Sequence, residues 1–150
     1  MNDLPAILAR VEAATGPDRE LDAAIMEAFY TLDKRHIGAT CWKGCCPRGR
    51  HLDTVWVDPQ TDKWVSTAPH EYTSSLDATV ALVEKLRPKW NVVSGHSWMH
   101  CSSNDPTLPA YFCEMEPRPQ GHFGIFAYGR TEVLARLAAL LRSMIEEEGR

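Results

Sequence analysis

Residues 90–128 alternate between side-chain types in three successive runs joined by short connections, and no other feature narrows the fold so far. In the first run, residues 90–101, Trp90, Val92, Ser94, His96, Trp98 and His100 point one way, with Asn91, Val93, Gly95, Ser97, Met99 and Cys101 opposite. In residues 110–116, Tyr111, Cys113 and Met115 share one face and Phe112, Glu114 and Glu116 the other. Residues 122–128 set Phe123, Ile125 and Ala127 against Gly124, Phe126 and Tyr128. The connections run about six to eight residues, whereas a parallel crossover needs a dozen or more. The pattern therefore predicts an antiparallel meander.

Helical spacing appears on both sides of it. Residues 3–14 carry Leu4, Ile7, Leu8 and Val11 at i, i+3, i+4 and i+7, and Gly16 with Pro17 ends that helix and opens the next. The second helix, residues 19–33, gathers Leu21, Ile25, Ala28, Phe29 and Leu32 on one side. Residues 72–90 contain a start signal at Ser74 or Ser75, with Asp77 behind it, and a stop at Pro88. Between them Leu76, Val80, Val83 and Arg87 lie on one line, with Ala78, Leu82 and Leu86 beside it. After Gly129 and Thr131 a last helix carries Val133, Leu134, Leu137, Leu140, Leu141, Met144 and Ile145, and Glu146, Glu147 and Glu148 predict a frayed final turn. Periodicity weakens over residues 35–70, where segments 39–43 and 52–58 read as short strands in long loops and where an insertion would sit. These elements fit one α+β domain over residues 1–150, an antiparallel β-sheet flanked by α-helices in an α/β/α sandwich.

Charge and cysteine usage restrict partners and compartment. The net charge of −4 offers no general attraction to phosphate backbones or anionic membranes, so nucleic acid is disfavoured. No apolar run approaches the ~20 residues that cross a bilayer. Asp3 and Glu12 stand where an export signal would be basic and then apolar, so a cytoplasmic location is expected. Five cysteines in such a chain read as reduced thiols.

Several constellations could carry chemistry. Cys41, Cys45 and Cys46, with His51 five residues on, have spacings that can surround zinc, against the simpler reading of reduced, partly buried thiols. His96 and His100 lie about 13 Å apart on a strand, too far to share an ion. His100 and Cys101, as strand neighbours, face opposite ways and do not form a thiol and base pair. Glu114 and Glu116, about 7 Å apart, read as a solvated sheet edge or as partners of Arg118 and Arg130 before they read as an acid/base pair. Asp18, Glu20 and Asp22 are explained by helix capping. The tryptophans with Tyr111, Phe112, Phe123 and Phe126 could stack on bases, but no Lys or Arg accompanies them on those strands. No phosphate loop, dinucleotide fingerprint, nucleophile elbow or zincin motif is present.

Two segments, VEAATGPDRELDAAI at residues 11–25 and YTSSLDATVALVEKLRPKW at residues 72–90, resemble the phage ABA sandwich domain of phage and prophage proteins. That resemblance implies a sheet between helical layers and a bacterial host, and it carries over no catalytic residues and no cofactor. The CWKGCC run lies outside the family pattern. The expectation is a phage or prophage accessory protein, non-enzymatic, acting through an unknown protein partner or a second copy of itself. The alternative is a zinc-binding protein or metal-dependent enzyme using Cys41, Cys45, Cys46 and His51.

Overall fold

The computed structural model describes residues 3–37, 51–97, 107–117 and 124–149. Within them the chain is α+β, with four helices and two three-stranded antiparallel sheets. No helix among the described residues is long and apolar enough to cross a membrane.

Helix α1, Leu4–Ala13, starts where the Asp3 carboxylate accepts the Ala6 N–H, and it buries Leu4, Ile7 and Val11. Helix α2, Arg19–Phe29, is capped by Asp18, whose side chain accepts the Leu21 N–H at 2.9 Å. It ends at Phe29, four residues short of the expected Asp33, because the chain turns extended at Tyr30 and enters strand β1, Thr31–Ile37. The apolar spacing that suggested more helix does not survive. Leu32, expected on the buried face of α2, stands exposed on β1. Strand β2, His51–Asp58, pairs with β1 from Thr31↔Val57 to Ile37↔His51, and β3, Lys63–Ser66, pairs with β2 across a bulge at Trp56/Val57. Asp62, at φ 55°, takes the left-handed position of that second turn and receives Arg35 from β1. Where the sequence shows little periodicity, then, the chain forms a sheet. Its first strand carries Asp33, Lys34 and Arg35 in succession and so has no apolar alternation to read. The strand expected at residues 39–43 lies outside the described residues.

Helix α3, Leu76–Leu86, begins at Ser75, whose hydroxyl accepts the Ala78 N–H. Its buried residues are Thr79, Leu82 and Val83, while Leu76, expected on the buried line, is exposed. The face is rotated because Thr79 can be buried at little cost: its hydroxyl donates to the carbonyls of Tyr72 and Ser75. Strands β4, Trp90–His96, β5, Tyr111–Pro117, and β6, Ile125–Gly129, form the expected meander, with Trp90↔Pro117 to His96↔Tyr111 and Tyr111↔Gly129 to Met115↔Ile125 in register. Residues 98–101 and 122–123 of the expected strands lie outside the described residues.

Helix α4, Glu132–Glu148, organises the rest. Leu134, Ala135, Leu137, Ala138, Ala139, Leu140 and Leu141 are all essentially inaccessible, so the helix is covered around its whole circumference. All three strands of the second sheet touch it, as do α1 and α3. It remains helical through Glu146, Glu147 and Glu148, where fraying was expected. Arg87 holds that end, pairing with Glu147 at 2.7 Å while it also bonds Ser143. The core cluster around α4 includes residues of α1, α2 and α3, the inner face of the second sheet, and Trp56 of the first.

Gly129 ends β6 against the first turn of α4, where a Cβ would lie 2.5 Å from the Ala135 nitrogen and 2.9 Å from the Leu134 carbonyl carbon. Backbone cannot yield as a flexible side chain does. Gly129→Ala is expected to lower unfolding free energy by about 2 kcal/mol, read as an earlier urea midpoint at unchanged slope. A neutral result would show that sheet and helix can separate there freely.

Candidate functional site

The register of the second sheet determines which residues face away from α4. Cys113, Met115 and Ala127 point to the helix and are fully buried, so Val93, Glu114 and Phe126 form one row on the outer face and Gly95, Phe112 and Tyr128 the next. Val93 is 55% exposed, Phe126 46% and Tyr128 37%. An antiparallel sheet with one wet face normally makes that face polar. Here it is aromatic and aliphatic around two carboxyls.

Those carboxyls are Glu114 and Glu116, two residues apart on one face of β5. They lie on β5, the central strand, so the expected sheet-edge placement is corrected. Glu114 leans over β6, its Oε1 2.5 Å from where a Cβ of Gly124 would be, and the Phe112 ring leans over β4 at Gly95. Partial burial raises the Glu114 pKa, and the neighbouring Glu116 carboxyl raises it further.

Beside this face, a groove of about 520 Å³ separates α3 from β4, lined by Val80, Val83 and Glu84 on the helix side and by Trp90 and Val93 on the strand side. The three-residue link of Arg87, Pro88 and Lys89 creates it by returning the chain directly alongside α3. Arg87 closes one end: its Nε donates to the Ser143 hydroxyl at 3.1 Å, Nη2 to the Ser143 carbonyl and to Glu147, and its guanidinium lies 5.3 Å from the Trp90 ring. Arg136 lies at the other end, with Nη2 2.7 Å from the Ser94 hydroxyl and 3.2 Å from Glu132 Oε1. Ser94 donates to that same Glu132 oxygen at 2.5 Å. The Ser94 bond, with Arg136 behind it, holds the Glu132 carboxyl below the usual carboxylate range. A carboxylate held so is a poor base for activating the serine. This trio clasps β4 to α4.

A second cavity, about 290 Å³, lies between α3 and the first sheet and is lined by Tyr30, Asp58, His70, Tyr72 and Lys85 among others. Lys85 Nζ sits 3.0 Å from Asp58 Oδ2 and 4.0 Å from the centre of the Tyr30 ring. The Gln60 N–H, then Lys85, keep the Asp58 carboxyl low, and burial pushes the Tyr72 hydroxyl up. Lys85 and Asp58 join α3 to the first sheet, whereas the Tyr72 hydroxyl donates to Met26 Sδ of α2 at 3.2 Å.

Of the residues singled out in the sequence, Cys41, Cys45 and Cys46 lie outside the described residues, as does the His51 side chain, although the His51 backbone opens β2. Among the described residues no group of three or more His, Cys, Asp or Glu side chains could hold a metal ion. His96 is exposed on β4 with its ring 4.6 Å from that of Tyr111, and His100 and Cys101 lie outside the described residues. Arg118, expected beside the Glu pair, also lies outside them. Cys113 is a buried free thiol whose pKa burial pushes up to about 11, which makes it inert. Asp18 caps α2 as expected. Asp22 is buried, accepting the Thr73 N–H at 2.7 Å, and its desolvation raises its pKa. Sequence reading missed the Ser94, Glu132 and Arg136 clasp, whose one local signal is the i, i+4 spacing of Glu132 and Arg136.

Comparison of the chain with family models, with curated proteins and with solved structures finds no match.

Because the folded chain holds the Glu114 proton more tightly than the unfolded chain does, this carboxyl favours the fold below its ordinary value of 4.5, and the benefit disappears as pH rises through the higher folded value. Glu114→Gln should therefore be more stable than the parent by about 0.5 kcal/mol at about pH 7, the gap closing toward about pH 4. Urea unfolding across that range checks it, and a gap independent of pH would show that the fold does not hold the Glu114 proton more tightly.

Proposed function

We propose that this chain is a non-enzymatic protein-interaction module that binds its partner through the outer face of the second sheet. The observation that carries this reading is the exposure of Val93, Phe126 and Tyr128 together on a face with no covering helix among the described residues, while the opposite face is sealed by α4. Contiguous exposed aromatic and aliphatic residues mark association surfaces. The chemistry of the groups around it agrees, since Ser94, Glu132 and Arg136 are tied to one another. Glu114 and Glu116 beside the aromatic rings repel phosphate, which favours a protein over a nucleic acid. A cytoplasmic accessory protein of phage or prophage origin, in line with the resemblance of residues 11–25 and 72–90, is the setting we propose for it.

Phe126→Lys with Tyr128→Lys places two cations on the face without touching the core. The parent chain, immobilised, is expected to retain a specific partner from a bacterial host extract, or to sediment as a dimer if the partner is a second copy, and the double variant to lose either association by about tenfold or more. A double variant that associates equally well, or a monomeric parent with turnover on a small substrate, would refute this role.

One observation favours a second reading, zinc binding by Cys41, Cys45, Cys46 and His51. Ile37 and His51 are Cα partners, so the segment bearing the thiols leaves and rejoins the sheet at one rung, with His51 at its base. Elemental analysis of protein purified without chelator should then give zinc close to one per chain, and a metal-free protein removes this reading.

A further inference from the structure

We propose that the free edge of β4 receives an extended, lysine- or arginine-bearing segment of a partner protein as a fourth strand, laid in the groove beneath α3. This rests on the interaction reading above and names the class of partner. The sheet order is β4-β5-β6, and β4 pairs with β5 alone among the described residues. In an antiparallel sheet alternate residues of an edge strand turn their N–H and C=O groups outward, a template for a further strand.

Folded proteins normally guard such edges with charge, proline, a bulge or brevity. The other edges here follow that rule. In β1, Asp33, Lys34 and Arg35 stand in the strand, and the Asp33 carboxylate accepts the Lys34 N–H at 2.8 Å. Strand β3 has four residues and begins with Lys63. On β6, Arg142 donates to the Phe126 carbonyl at 2.6 Å and is itself held by Glu12 of α1. Strand β4 has seven residues, WNVVSGH, with no proline, no Asp, Glu, Lys or Arg, and an unbroken register with β5. Among the described residues it carries none of these guards, and the groove runs alongside it.

The lining states what would bind. Val80, Val83 and Trp90 offer apolar contact to every second side chain of an added strand. The cations of the groove are already neutralised, Arg87 by Glu147 and Arg136 by Glu132. Glu84 has no ion pair among the described residues, and Glu116 adds a second carboxylate to the lining. The uncompensated charge is negative, and it is matched by basic side chains at the alternate positions.

The test is fluorescence anisotropy with the full chain and a labelled peptide of alternating Val and Lys, about nine residues long. Saturable binding is expected, weakened about tenfold or more when Glu replaces Lys or when alternate backbone nitrogens are methylated. Glu84→Lys, on the exposed side of α3, should weaken it about fivefold or more, whereas Glu27→Lys, an equal charge change on α2 outside the groove, should leave it within about twofold. Absence of saturable binding, indifference to methylation, or equal effects of the two charge reversals would each overturn strand addition. If capture through Phe126 and Tyr128 persists while the peptide fails, strand addition alone is wrong. Failure of both removes the interaction reading too.

Discussion

Covering a helix on every side is the constraint from which this architecture follows. Four leucines of α4, at 134, 137, 140 and 141, are buried essentially completely, each contributing about 1.5–3 kcal/mol against exposure, whereas a surface ion pair contributes about 0–1 kcal/mol. Hydrophobic burial therefore decides where α4 lies, and charged groups adapt to it. The second sheet covers one side, and α1 and α3 cover much of the rest. Cost appears where β6 meets the helix and only glycine fits, at Gly129.

Polar side chains that accompany α4 into this environment are tied down, apart from the buried Arg136 Nε, which has no hydrogen-bond partner among the described residues. Ser143 donates to the Leu140 carbonyl and accepts from Arg87, which in turn fastens the end of α3 and the ring of Trp90. Arg136 and Glu132 do the same at the other end through Ser94. Elsewhere Asp22 receives the Thr73 N–H, and the Thr73 hydroxyl receives that of Asp18, so the turn before α3 is hung on α2. The first sheet is joined to α3 through Lys85, Asp58 and Tyr30. Groups used in this way position elements.

A sheet sealed by a helix on one side must present its other side to something. Water would be served by polar residues, yet Val93, Phe112, Phe126 and Tyr128 occupy the face, with the carboxyls of Glu114 and Glu116 among them. Among the described residues, strand β4 adds an edge without the protection given to β1, β3 and β6. A sheet face and a sheet edge that both depart from the norm, on adjoining surfaces, point to one region of association.

Local patterns were readable in the chain itself: the meander of β4, β5 and β6, the starts of α1, α2 and α3, and the grouping of Cys113 with Met115 on one face, though not that this face is the buried one. Each depends on periods of 2 or 3.6 residues and on caps within a turn. Strand β1 was not readable, because Leu32 continues a helical spacing and Asp33, Lys34 and Arg35 carry no alternation. Nor was the rotation of α3 that exposes Leu76, which follows from bonds between Thr79 and the turn before it. The division into two sheets, the central place of Glu114 on β5, the clasp of Ser94 to Arg136 and the open edge of β4 were decided by tertiary structure alone. They arise from contacts between residues far apart in the chain, and a local period does not record which strand will have a neighbour.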